Sequence, residues 1–182
     1  MKEGVFLLKE KVIVVSKILD NITFKLNGLS CIFIAVITIF ILAEIIARRF
    51  FNYGFLFVLE VSTYLLAASW FLSAAYALRT DGHIRVNVLT SIIKSEHAAR
   101  LLDIFATILG IIISLIFFRA VFWLFSESYL LGKTSFSALR APLYVPQLFV
   151  AIGMLFMLLQ MIMRLLLLLF NEKPDIDLKG KK

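Results

Sequence analysis

Four long apolar runs, separated by shorter stretches where charged and polar residues return, dominate the chain at about 26–47, 57–78, 101–125 and 142–170. A helix of about 22 residues rises ~33 Å, enough to cross the ~30 Å hydrocarbon layer of a bilayer. Each run therefore predicts a transmembrane helix. Pro142 and Pro146 fall at the start of the fourth run, where a missing backbone donor costs least, and its extra length allows tilt. The first run exceeds the roughly 7 to 15 residues of a signal-peptide apolar region and lacks a small-residue cleavage site, so it reads as an uncleaved first span.

Outside the spans the pattern is amphipathic. Residues 1–25 alternate charge with Val5, Phe6, Leu7, Leu8, Val12, Ile13 and Val15, which predicts an interfacial helix on the cytoplasmic side. The middle loop, 79–100, mixes Arg79, Arg85, Lys94 and Arg100 with Ile84, Val86, Val88 and Leu89, and predicts a second surface-lying segment. The expected architecture is an all-α integral membrane protein forming a single domain over 1–182, with a short tail at 171–182.

Composition agrees: 62% of residues are hydrophobic and 17% charged, which disfavours a soluble enzyme. The net charge of +7 would raise nucleic acid as a partner in a soluble protein, but here the basic residues flank apolar spans. Fourteen Lys and Arg fall in the N-terminal tail, middle loop and C-terminal end, against Arg48, Arg49, Lys133 and Arg140 on the opposite side. That bias places both termini in the cytoplasm and gives no role to nucleic acid.

Candidate chemistry is sparse. Cys31 is the sole cysteine, and His83 and His97 share one connecting segment, so no disulfide, thiolate metal site or haem held between facing helices can be built, and neither metal nor cofactor is expected. Glu44 and Arg119 are charges placed inside spans, where each costs roughly 2.5 to 3.5 kcal/mol on insertion scales. Glu44 lies one turn before Arg48, which predicts an i,i+4 ion pair, and Arg119 predicts snorkelling or contact with another helix. An alternative makes Glu44 the proton-coupled carboxylate of a stand-alone homodimeric antiporter. Ser69, Ser73 and Ala77, at successive spacings of four, mark a small-residue face suited to close helix contact, within this unit or with another membrane protein.

Three stretches resemble the small membrane subunit of tripartite ATP-independent periplasmic (TRAP) transporters. They are Arg48-Arg49-Phe50-Phe51-Asn52; Glu60-Val61-Ser62-Thr63-Tyr64-Leu65 through Trp70 to Arg79 and on into Gly82-His83-Ile84-Arg85-Val86-Asn87; and Ser137-Ala138-Leu139 followed by Pro142-Leu143-Tyr144-Val145-Pro146-Gln147. The chain differs from the family's common pattern at Leu59-Glu60, Thr63, Ser73 and Asn87.

The resemblance implies a non-catalytic scaffold in the bacterial or archaeal cytoplasmic membrane. Its partner would be a large many-span permease subunit performing sodium-coupled uptake of a carboxylate, such as a dicarboxylate or a sugar acid like sialic acid, delivered by a periplasmic substrate-binding protein. On that reading Ser69, Ser73, Ala77, Glu60 and Tyr64 are candidates for subunit packing. Arg48, Arg49, Arg79, His83 and Arg85 are candidates for phospholipid phosphate or inter-subunit contacts, and Lys133 and Arg140 for contact with the binding protein.

Overall fold

The computed structural model describes residues 2–80, 96–137 and 139–170. They form four helices: α1 (Lys2–Phe51), α2 (Leu56–Arg79), α3 (Glu96–Leu130) and α4 (Tyr144–Leu169). All four are long and apolar enough to cross a membrane. α2 begins and ends within a residue of the expected span, whereas α3 runs several residues further at each end. The α1–α2 turn and the α3–α4 loop lie at one end of the molecule, here the loop end; Arg79, Glu96 and Leu169 mark the other.

The largest departure from expectation is α1. It is one helix of 50 residues, about 75 Å long, so no separate interfacial helix precedes the first span. The stretch from Asp20 to Leu26 contains neither Gly nor Pro, and the Thr23 hydroxyl donates back to the Leu19 carbonyl at 3.0 Å, so the ladder continues where a boundary was expected. α2 covers ~36 Å and ends beside Asp20, so the first residues of α1 continue about 27 Å past its end. The second expected interfacial segment falls largely on 81–95, outside the described residues.

α1 and α2 are antiparallel in one register, marked by edge-on ring pairs Phe24–Tyr76 at 5.7 Å and Phe40–Phe57 at 6.4 Å. α4 is the central helix: it packs extensively on α2 and on α3, and more lightly on α1, where Phe33 meets Phe149 at 5.6 Å. The order across the layer is α1, α2, α4, α3, with α1 and α3 at its edges. Their outward faces are apolar, including Ile39, Ile45 and Ile46 on α1 and Ile112, Ile116 and Trp123 on α3. Such faces suit lipid or another membrane helix, since hydrophobicity gives no preference between them.

The tightest crossing joins α2 and α4 at Gly153. A Cβ added there would sit 2.4 Å from the backbone carbon and oxygen of Phe71, so only hydrogen allows the two backbones to approach this closely. Fully buried Ala68, Leu72 and Ala75 line the α2 side. At Gly110, on α3, an added Cβ would meet the Met161 sulfur at 2.9 Å, the far part of a flexible side chain.

Gly153→Ala should therefore push backbone against backbone and destabilise by about 1 to 3 kcal/mol, as overpacked cores do. Gly110→Ala should shift Met161 and cost little. Thermal unfolding of the two variants in detergent checks this contrast, and equal loss in both would contradict it.

Candidate functional site

Polar side chains inside the apolar helices have to find partners, because an unmade hydrogen bond or a lone charge away from water is costly. Most are gathered in clusters near the two ends of the layer. At the Arg79 end, α2 terminates on a guanidinium that is almost fully buried, with its side chain 6% exposed. Arg79 Nε donates to Asp20 Oδ1 at 2.9 Å and Nη2 to Asp20 Oδ2 at 2.8 Å, a bidentate pair across 59 residues of chain. Nη2 also donates to Ser16 Oγ at 3.0 Å. From α4, Gln160 Nε2 donates to Asp20 Oδ1 at 3.0 Å and to Thr23 Oγ1 at 3.3 Å. One carboxylate thus joins α1, α2 and α4.

A second pair joins α3 to α4. Arg164 Nη2 donates to both oxygens of Asp103 at 3.0 Å, and Arg100 Nη2 donates to the Leu168 carbonyl in the last turn of α4 at 2.5 Å. These contacts correct one expectation and refine the charge count. Arg79, a candidate for lipid phosphate or inter-subunit contact, is occupied within the chain and buried. Arg164, counted among the basic residues of the C-terminal end, lies in α4 within the expected fourth span and is buried against Asp103. Removing both from the count still leaves twelve basic residues against four, so the sign of the charge bias stands.

At the loop end, Glu44 and Arg48 make the expected i,i+4 pair at 2.5 Å. The second Glu44 oxygen does something the sequence did not suggest: it accepts the backbone N–H of Phe55 at 2.6 Å. Phe55 is the N-cap of α2 and has no side-chain cap of its own, so the glutamate closes the α1–α2 turn. Both carboxylate oxygens of Glu44 are thereby engaged.

Glu60 and Tyr64 are also used internally. Tyr64 Oη donates to Glu60 Oε1 at 2.7 Å, and Ser137 Oγ donates to Glu60 Oε2, tying α2 to the α3–α4 loop. That loop is folded on itself by a Thr134–Pro142 bridge, with Ser135 N donating to the Ala141 carbonyl at 2.8 Å and Leu143 N to the Lys133 carbonyl at 3.1 Å. Gly132 and Arg140, at φ +58° and +46°, take the left-handed positions that turn the backbone. Lys133 pairs with Glu127 at 2.7 Å, while Arg140 is exposed.

The small-residue stripe is only partly in the interface. Ser69 is buried and returns its hydroxyl to the Leu65 carbonyl at 2.7 Å, but Ser73 and Ala77 are half-buried. Steps of four advance about 40° beyond a full turn, so the stripe rotates out of the contact that Ala68, Leu72 and Ala75 keep. The packing residue that the sequence pattern did not single out is Gly153. Its signal was available in the small residues of α2, Ala67, Ala68, Ala74 and Ala75, which need a small partner to be useful.

Arg119 is exposed on α3, Arg49 is exposed at the end of α1, and His83 and Arg85 lie outside the described residues. Among the described residues, no group of His, Cys, Asp or Glu is placed to hold a metal ion. Four apolar helices, an arginine and aromatic turn after the first, and a proline-bearing entry to the last make one pattern. Residues 37–171 match the family described as tripartite ATP-independent periplasmic transporters, DctQ component. The chain belongs to the DctQ family. No curated protein and no solved structure matches it.

A DctQ component is the small membrane subunit of a TRAP transporter, a multi-pass protein of the bacterial inner membrane. The matched region includes Arg79, Asp103, Gln160 and Arg164. Asp20 lies before it, so this DctQ chain anchors its family-matched helices on a carboxylate outside the match.

Replacing Arg164 by Leu would remove the donor to both oxygens of Asp103, a carboxylate still 30% exposed, and should cost about 1.5 to 3 kcal/mol, as lost hydrogen bonds to charged groups do. Arg119→Leu, at an exposed position on an apolar helix, should be neutral or stabilising. Denaturation of both variants in the same detergent distinguishes them, and equal stability would contradict the assignment.

Proposed function

We propose that this DctQ subunit is a non-catalytic scaffold that packs against the large TRAP permease subunit. Sodium-coupled uptake of a carboxylate, such as a dicarboxylate or a sugar acid, then takes place in that partner, which receives the substrate from a periplasmic binding protein. The carrying observation is where the polar groups of the helices go. Asp20, Arg79 and Gln160, and Asp103 with Arg164, tie the helices of this chain to one another, while the edge helices α1 and α3 present broad apolar faces outward. Such an arrangement suits a stiff element that adds bulk and anchoring in the plane of the membrane.

On this proposal Ser73 and Ala77, half-buried on α2, remain candidates for subunit packing, and Arg140 is the more available candidate for the binding protein because Lys133 is paired with Glu127. Both termini are proposed to lie in the cytoplasm and the α3–α4 loop in the periplasm, in keeping with the charge bias.

Expression with its chromosomal neighbours, extraction in mild detergent and intact-complex mass spectrometry should show a roughly equimolar many-span partner. A homodimer without such a partner, or sodium-driven uptake by the isolated chain in proteoliposomes, would contradict the scaffold. For orientation, Phe136→Cys in a Cys31→Ser background should react with a membrane-impermeant maleimide in intact spheroplasts, since Phe136 is fully exposed in the loop. Labelling only after lysis would reverse the topology.

A further inference from the structure

We propose that the outward face of α3 is a surface on which the large permease subunit sits, held there by an ion pair between Arg119 and a carboxylate on a membrane helix of that subunit. The inference rests on the scaffold reading and adds to it a surface and the chemistry of its partner. Between Asp103 and Glu127, α3 runs through residues 104–126, ~34 Å of helix and about the thickness of the hydrocarbon layer. Arg119 is the single charged residue in that stretch. Its Cα lies about 12 Å of helix rise from Glu127 and about 24 Å from Asp103.

This guanidinium faces away from its own chain. Buried Thr107, Ser114 and Ser128 mark the α4 side of α3, where Ser114 reaches the Met161 sulfur at 3.4 Å. Arg119, five residues on from Ser114, is turned about 140° from that side and is exposed. Ile112, Ile116 and Trp123 share its face and are exposed with it. Arg119 makes no hydrogen bond or ion pair among the described residues. The carboxylates of the helix layer are committed elsewhere: Asp20 to Arg79, Asp103 to Arg164, Glu44 to Arg48 and Glu127 to Lys133.

Lipid is a poor counterpart for this charge. The nearer phosphates lie at the loop end, beyond Glu127, and α3 runs toward that end. A helical Cα–Cβ bond tilts toward the helix N-terminus, so the Arg119 side chain starts out in the opposite direction. A side chain of roughly 7 Å does not cover the 12 Å back to that surface. A second copy of this chain fits no better, because a two-fold contact through this face would bring Arg119 toward Arg119, like charges in hydrocarbon. Arginine keeps its charge in apolar surroundings, and its planar fork matches a carboxylate through two parallel hydrogen bonds. An acid at the same depth on a larger membrane protein, with apolar neighbours to meet Ile112, Ile116 and Trp123, answers both the charge and the face around it.

The test uses the complex expressed with its chromosomal neighbours and extracted in mild detergent, with the large subunit recovered per tagged chain read by intact-complex mass spectrometry. Arg119→Leu should lower that recovery at least fivefold and Arg119→Glu at least tenfold. Arg119→Lys, which keeps the charge and loses the fork, should lower it two- to threefold, and Lys25→Gln, an exposed charge on α1, should leave it unchanged. The isolated Arg119→Leu chain should melt no lower than the unmodified one, which separates a lost partner from a damaged fold. Benzophenone side chains at positions 116 and 123 should crosslink to the large subunit, and an arginine in place of the acid nearest those crosslinks should restore recovery with Arg119→Glu. Full recovery of the large subunit with both Arg119→Leu and Arg119→Glu would overturn this interface and leave the scaffold standing. Crosslinks to phospholipid alone or to a second copy, a lower melting point for isolated Arg119→Leu, or equal loss with Lys25→Gln would do the same. A complex without a many-span partner for the unmodified chain would remove the scaffold and this interface together.

Discussion

The structure depends on a carboxylate placed among apolar helices. Asp20 lies in the first half of α1, yet it receives two hydrogen bonds from Arg79 at the end of α2 and one from Gln160 on α4. Isolated, either charge would be expensive near hydrocarbon; as a bidentate pair with an amide and two hydroxyls around it, the cluster satisfies its own charges. The cost of separating it fixes where α1 stands relative to α2 and α4. The antiparallel register marked by Phe24–Tyr76 and Phe40–Phe57 follows the same alignment.

Polar contacts at the ends and small residues in the middle divide the work. Asp20–Arg79 and Asp103–Arg164 hold one end, Glu44–Phe55 and Glu60–Ser137 the other, and Gly153 lets α2 and α4 touch backbone to backbone between them. Because α4 contacts all three other helices, it transmits the alignment of α1 and α2 to α3. The helices form a layer with apolar edges, which fits a subunit meant to be covered by lipid and by a larger membrane protein. In the proposed scaffold, stiffness is the contribution, and the substrate and sodium sites belong to the partner.

Sequence patterns made some of this legible for identifiable reasons. The limits of α2 were readable to within about a residue because Asn52-Tyr53-Gly54 breaks the apolar run before it and Arg79-Thr80-Asp81 ends it. The continuity of α1 through Asp20 was not legible because lysines around Asp20 resemble a tail, and the contact that pins this stretch comes from 59 residues away. The Glu44–Arg48 pair was legible from its spacing of four, but the Phe55 N–H that Glu44 also accepts depends on the turn's path. Glu60 and Tyr64 stood out as polar positions in a span; that they face this chain's own loop through Ser137 follows only from tertiary packing. Family resemblance carried the reading further than composition did, and the match over residues 37–171 bears out the family.

The account's central claim is that Asp20 and Arg79 are one unit that sets the helix layer. A double-mutant cycle measures it directly, with Asp20→Asn, Arg79→Gln and the double variant unfolded in one detergent. Each single change should be strongly destabilising, and the double variant should recover much of the loss, leaving a coupling energy of about 2 to 3 kcal/mol, near the upper end for residues in direct contact. Losses that simply add would show that the two residues act independently and would contradict the claim.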